Sequence, residues 1–252
     1  MASIYSQDNI ESLYELLARA AGTKIFNAKD YDAVITEPSF WPNMIYNPRF
    51  DRKNLRTRIH SLKIGSQTSN GPNYIMSDPG KTSQELLSGL KDLNLKIGHW
   101  TAMHRTLQDL PEYTQPTLKI AEVKVKSELV HWLHVLNEAL MKERKVDDSM
   151  FENILSNENI QILVGTLDGE PVATSMSFIH NGTCGIYLVA TLEPFRGVGI
   201  GRDMTLRAMK IGKELGCSQA TLQSTNMGLS VYRNLGFEDC GEIEVFDVSK
   251  SS

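Results

Sequence analysis

The residues with the clearest chemical meaning are Val189-Ala190-Thr191-Leu192-Glu193-Pro194-Phe195-Arg196-Gly197-Val198-Gly199-Ile200-Gly201-Arg202. A predicted strand ends, a glycine-rich turn follows and a helix begins. Glycines let successive backbone N–H groups point into one concavity and let a phosphate approach closely. The following helix adds the positive end of its dipole. With Arg196 and Arg202 flanking the turn, the pattern reads as a pyrophosphate cradle. A tight strand-to-helix connection has the same composition, so the turn alone does not decide the chemistry.

Rival readings are poorer. A dinucleotide site of the Rossmann kind needs Gly-x-Gly-x-x-Gly opening a βαβ unit and an acidic residue about 20 positions on. Here Gly197, Gly199 and Gly201 alternate, and the preceding strands read as a hairpin. Asp78-Pro79-Gly80-Lys81-Thr82 ends like a P-loop, but Ile75 stands where the first glycine belongs, so it reads as a turn into a helix. His131, His134 and Glu138 share a predicted helix without the His-Glu-x-x-His form, and no metal site is expected. No Gly-x-Ser-x-Gly is present, and Cys184 and Cys217 read as structural.

A second segment gives the first its meaning. Ala220-Thr221-Leu222-Gln223-Ser224-Thr225-Asn226-Met227-Gly228-Leu229-Ser230-Val231-Tyr232-Arg233-Asn234-Leu235-Gly236-Phe237 reads as a strand, a short helix carrying a tyrosine, and a Leu-Gly-Phe turn. Taken together, the two segments resemble the GNAT acetyltransferase superfamily over residues 118–248. Arg196-Gly197-Val198-Gly199-Ile200-Gly201 matches the family's Arg/Gln-x-x-Gly-x-Gly/Ala signature, and Val189-Ala190-Thr191 its bulged fourth strand.

The resemblance implies an α/β protein with a mixed sheet, in the acyl-CoA N-acyltransferase fold, whose fourth and fifth strands splay apart. Acetyl-CoA would lie in that gap. Backbone groups of Val189 and Thr191 would hold its pantetheine arm, and an amide near Val189 or Ala190 would polarise the thioester carbonyl. The amides of Gly197, Val198, Gly199, Ile200, Gly201 and Arg202 would cradle the pyrophosphate. Ser224 and Asn226 either bond the cofactor or cap the next helix. Tyr232 stands where the family places a general acid, and a phenol is protonated at neutral pH. For a general base, Glu122, Glu193 and a water chain are candidates; none is assigned. The implied activity is acetyl transfer to a small-molecule or peptide amine by direct attack. The alternative is a non-catalytic acyl-CoA-binding module.

The elements that must position these groups follow from periodicity. Ile10, Leu13, Tyr14, Leu17 and Ala21 mark a first helix that Gly22 ends. Residues 32–36 read as a strand, 38–49 as irregular because of Pro38, Pro42 and Pro48, 55–64 as a helix and 66–73 as a polar turn. A strand at 74–76, a helix at 83–93 and a turn at 95–98 loosely echo residues 222–236. This suggests either a degenerate second copy of the fold, walling off the acceptor site through Phe40-Trp41-Pro42, or an unrelated helical cap. Pro111 and Pro116 mark a junction, giving domains 1–115 and 116–252. Beyond it are a strand at 118–125, a helix at 127–142 with Val130, Leu133, Leu136 and Leu140 inward, and strands at 160–166, 172–179 and 183–191. Asp168-Gly169 and Asn181-Gly182 turn between these strands. A helix at 199–215 with Met204, Ala208, Ile211 and Leu215 inward, a strand at 220–224, a helix at 227–234 and a strand pair over 237–248 complete the pattern.

Bulk properties bound the rest. The 252 residues are 41% hydrophobic and 22% charged, enough for a core and average for soluble domains. A net charge of -4 excludes a general basic footprint for nucleic acid. No apolar run reaches the ~18 residues of a membrane span. Three unpatterned cysteines and the absence of a basic-then-apolar start lead to the expectation of a cytoplasmic protein. No residue pattern specifies an oligomeric state.

Overall fold

The computed structural model describes residues 2–36, 39–68, 71–78, 80–142, 146 and 148–249. The expectations that involve Pro38, Ser69, Asn70 and Pro79 lie outside the described residues. The chain begins with helix α1 (Ala2–Ala20), whose buried Ile10, Leu13, Tyr14 and Leu17 follow the 3.6-residue period. Strands β1 (Lys24–Asn27), β2 (Tyr31–Ile35) and β3 (Met44–Pro48), helix α2 (Leu55–Gln67), strand β4 (Tyr74–Ser77), helix α3 (Gln84–Lys91) and strand β5 (Lys96–Thr106) follow. After the junction come β6 (Lys119–Glu122), α4 (Lys126–Leu136), α5 (Asp148–Glu152), β7 (Ile160–Leu167), β8 (Glu170–His180), β9 (Thr183–Thr191), α6 (Ile200–Glu214), β10 (Gln219–Ser224), α7 (Leu229–Asn234) and β11 (Glu238–Asp247).

The strands form one eleven-stranded sheet in the order β1-β2-β3-β4-β11-β5-β10-β9-β8-β7-β6. Among the described residues, β3 with β4 and β9 with β10 run parallel and the other neighbours antiparallel. The two halves repeat one theme: helix, three antiparallel strands, helix, parallel strand, helix, strand. The last strand of each is exchanged. β5 lies between β10 and β11, and β11 between β5 and β4. The junction at residues 109–116 therefore separates two sets of elements along the chain but not two sheets.

The repeat extends to single residues. Asn94 after α3 takes φ +56° as Gly236 after α7 takes +81°. Counting back four positions from each gives Leu90 and Tyr232. The N-terminal half repeats the element order of the C-terminal half. It has an apolar side chain in place of the phenol, and after β3 the Asp51 carboxylate accepts from Lys53 N (2.9 Å) where β9 leads into glycines. A carboxylate at that point repels an anion rather than cradling one.

Three apolar clusters hold the sheet. One lies on the face covered by α1, α4 and α5, a second under α6, and a third under α2 and α3. Trp132 is fully buried against Phe151 (4.8 Å between centroids), and its indole N–H donates to Ser175 O at 3.3 Å. The inward face of α4 is Leu129, Trp132, Leu133 and Leu136. Val130 (59% exposed) lies off this face on the regular helix, and Leu140 (45% exposed) falls in a π turn over Asn137–Met141 that changes the period beyond Leu136. Leu215, at the C-cap of α6, is exposed as well.

Three other expectations change. The proline-rich stretch 38–49 contains β3, with Pro48 its last residue. The turn expected at 95–98 is the start of β5, where the strand-poor Lys96 and Gly98 are held in line by pairing with β11. The expected pair over 237–248 is one strand, with a bulge between Asp239 and Gly241.

Candidate functional site

Two tight hairpins set up the site. Asp168 and Gly169, then Asn181 and Gly182, take positive φ and turn β7 into β8 and β8 into β9. The β8–β9 register passes from Met176↔Tyr187 to Thr174↔Ala190, so Leu188 and Val189 bulge opposite Ser175. Leu188 adopts φ +52°, and Thr174 Oγ1 donates to its carbonyl at 2.9 Å. The β9–β10 ladder stops at Gly185↔Thr221. From there Ile186–Thr191 and Leu222–Ser224 have no ladder bonds to each other, and an open V lined with backbone N–H and C=O groups results. A guest with its own amides can fill such a gap.

At the mouth of the V the chain makes a 3₁₀ turn (Glu193–Phe195) and enters the glycines. Gly197 and Gly199 take φ +81° and +96°, a region costly for residues with a Cβ. Gly199 is the N-cap of α6 and offers no side chain to the first turn. The first ladder bond is Asp203 N to Gly199 O (3.1 Å), so helix geometry leaves the amides of Ile200, Gly201 and Arg202 without an intrahelical acceptor. Val198 projects outward, and buried Ile200 anchors the helix start. Both guanidiniums turn onto protein carbonyls. Arg196 donates to Thr191 O (2.9 Å) and Ala139 O (3.3 Å), and Arg202 to Glu112 O (3.0 Å) and Asp203 Oδ1 (2.8 Å). They brace the turn from its flanks, and the cradle itself is backbone.

On the α6 face of the V, Ser224 is buried at the end of β10, and its hydroxyl donates to Thr225 O at 2.8 Å. Asn226 is exposed. Neither caps α7, whose N-cap is Gly228 with no side-chain bond. Gly228 instead draws the site together, since a Cβ there would sit 2.7 Å from Tyr232 Cε2 and 2.9 Å from Ser224 Oγ. Tyr232 packs edge-on against Phe237 (6.1 Å), and burial pushes its phenol up to about 12.

The opposite face of the V is closed by α1. Tyr187 OH donates to Asn9 Oδ1 (2.6 Å), Asn9 Nδ2 to Thr183 O (3.1 Å), and Gln223 Nε2 to Ser6 Oγ (2.9 Å). Sequence reasoning missed these residues. Their one signal was polar Ser6, Gln7 and Asn9 among the inward positions of an apolar helix face. Phe40 and Trp41 pack on Tyr74 and Tyr14 instead. Glu122 lies on the edge strand β6, ion-paired to Lys124 (3.3 Å), three strands from β9, or roughly 14 Å at about 4.8 Å per strand. Glu193 is exposed at the start of the 3₁₀ turn. Burial pushes the Cys184 and Cys217 thiols up, as structural thiols require. Among the described residues no three His, Cys, Asp or Glu side chains group as a metal set, and no helix is long and apolar enough to cross a membrane.

Residues 127–237, which include the bulged strand, the cradle and Tyr232, match the acetyltransferase (GNAT) family. The match lies within the C-terminal half of the chain. Solved structures extend the likeness of fold beyond it. A GCN5-related N-acetyltransferase from Kribbella flavida is 18% identical, with a TM-score of 0.69 over 96% of this chain and 95% of that one. A conserved protein of unknown function from Staphylococcus epidermidis is 14% identical, with a TM-score of 0.63 over 89% and 93%. A GCN5-related N-acetyltransferase from Sphaerobacter thermophilus is 14% identical, with a TM-score of 0.62 over 88% and 78%. No curated protein matches the sequence. At these identities the likeness is one of fold. It spans the matched segment together with the N-terminal half.

Proposed function

We propose that this protein is an N-acetyltransferase that moves an acetyl group from acetyl-CoA to a primary amine by direct attack in a ternary complex. The observation that carries the reading is the V between β9 and β10, with a glycine-built helix N-terminus at its mouth and Tyr232 beside it. The V offers unpaired amides and carbonyls, the mouth offers first-turn N–H groups, and Gly197 leaves room in front of them. These features fit a long thiol ester that carries its own amides and a pyrophosphate.

When bound, acetyl-CoA supplies an activated acetyl thioester. Backbone groups of Val189 and Thr191 hold the pantetheine arm along the bulged strand, and an amide at Val189 or Ala190 donates to the carbonyl oxygen as negative charge builds there. The amides of Gly197 to Arg202 receive the pyrophosphate at the positive end of α6. Ser224 and Asn226 border the second side of the V. Tyr232 gives its phenolic proton to the departing thiolate; with its pKa pushed up, the phenol is fully protonated at neutral pH. With Glu122 three strands away, Glu193 and water are left to take the proton of the amine.

The test is thiol release from acetyl-CoA with the purified protein and a panel of amino sugars, polyamines, amino acids and peptides. Amine-dependent release supports the transferase. Tight CoA binding without release for any amine would favour the acyl-CoA-binding module.

A further inference from the structure

The segment joining the halves runs along α6 from the C-terminal end of that helix to its N-terminal end. Lys213 Nζ donates to Gln108 O (2.5 Å). One turn back, Lys210 Nζ lies 4.1 Å from the centre of the Tyr113 ring and 3.9 Å from Glu112 Oε2. Near the helix start, Arg202 Nη1 donates to Glu112 O (3.0 Å), and Gln115 Nε2 donates to Val198 O inside the glycine turn. Thr114 Oγ1 is close enough that a Cβ on Gly199 would sit 2.9 Å from it.

The segment is fastened by Asp203, which is 1% exposed. Its Oδ2 accepts from the amides of Thr114 (2.8 Å) and Gln115 (2.7 Å), and its Oδ1 from Thr114 Oγ1 (3.2 Å) and Arg202 Nη1 (2.8 Å). Four donors compensate the burial of the charge. The position still conflicts with the chemistry, because a carboxylate in the first turn of α6 opposes an anion at the amides just before it.

We propose that Asp203 is a positioning residue: it latches residues 114–115 across the glycine turn and holds the first-turn amides of α6 in their binding geometry, so that the linker between the halves buttresses the cofactor site. The inference rests on the reading of the cradle as a CoA site. It separates from plain electrostatics by sign. Removing a negative charge beside a pyrophosphate should tighten CoA, whereas removing a latch should loosen it.

The experiment titrates CoA by calorimetry into the full-length wild type, Asp203→Asn and Gln115→Pro. Asparagine keeps the shape and loses the charge. Proline at 115 removes the Gln115 amide donor to Asp203 and, with the side chain, the bond to Val198 O, both parts of the latch, without altering the sequence of α6. Both variants should bind CoA about tenfold or more weakly, the scale of losing hydrogen bonds to a charged group. Their kcat at saturating acetyl-CoA should stay within about threefold of wild type, a split that marks lost ground-state binding. The amide of Thr114 should exchange faster in both. Should Asp203→Asn not fold, Gln115→Pro decides alone. Unchanged or tighter CoA binding in a folded variant would overturn the latch. Failure of the wild type to bind CoA would overturn the functional reading beneath it instead.

Discussion

Replacing Tyr232 with phenylalanine removes one oxygen and leaves the ring in place. The ring packs on Phe237 and lies against Gly228, and among the described residues none bonds its hydroxyl, so the fold should be nearly unaffected. The hydroxyl matters when the thiolate forms. General acid catalysis contributes ~10²–10⁴-fold, and a thiolate is a fair leaving group, so a loss of kcat at the low end, about 100-fold, is expected. Acetyl-CoA affinity should change little, because the proton transfer develops only in the transition state. The pH dependence follows from the same burial. A phenol raised to about 12 stays protonated through pH 10, so wild-type kcat should show no alkaline limb from loss of this proton between pH 7 and 10. The sign for stability is consistent: the folded pKa exceeds the unfolded value of about 10, so its contribution is present below pH 10 and fades as pH rises toward 12. Steady-state kinetics at saturating substrates, with calorimetric titration of CoA, checks both. Wild-type kcat in folded Tyr232→Phe would refute the acid role, and a loss confined to affinity would recast Tyr232 as a binding residue.

Gly197→Asp should cut CoA affinity by more than about 100-fold while the protein stays folded; a Cβ there meets nothing within 4 Å, Asp tolerates positive φ better than most residues, and it puts a negative charge within the proposed anion cradle. Gly212→Ala should destabilise the protein without touching the site. Its Cβ would fall 2.5 Å from Cys184 Cβ, a clash typical of overpacking at about 1–3 kcal/mol, visible as a drop in Tm of about 2–4 °C per kcal/mol. A fragment of residues 116–252 should be insoluble alone, since losing β5 bares β10 and β11 on facing edges, and should be recovered by co-expression with residues 1–115. A monomeric, folded fragment in size-exclusion chromatography and circular dichroism would contradict the exchanged-strand account.

Local chemistry was legible and long-range partnership was not. The turns at Asp168-Gly169 and Asn181-Gly182, the glycine turn into α6 and the Leu235-Gly236-Phe237 turn could be read because each is set by residues within a few positions of itself. The echo between halves was visible at residues 74–93 because a strand and a helix recur in order, whereas the turn expected at 95–98 is the start of β5. β5 was missed because its strand character comes from β10 and β11, both more than 100 residues away. Leu140 was misplaced because the π turn at Asn137–Met141 leaves no sequence mark, and Val130 because Leu129 and Trp132, one and two positions from it, take the inward face instead. Asp203 looked like an ordinary first-turn acid, since its partners Thr114 and Gln115 lie 89 and 88 positions earlier. Asn9 and Ser6 were hidden for the same reason, since only the folded sheet brings α1 to the β9–β10 gap.

The central claim is that the β9–β10 gap presents an acetyl thioester to an amine. The most direct measurement is product stoichiometry: full-length protein with acetyl-CoA carrying a labelled acetyl group and the amine panel, read by mass spectrometry for labelled amide and in parallel for free CoA. The account predicts, for at least one amine, one labelled acetyl-amine per CoA released, with both abolished in Gly197→Asp. CoA bound tightly by the wild type with no acetylated amine across the panel, or acetyl transfer that persists in Gly197→Asp, would contradict it.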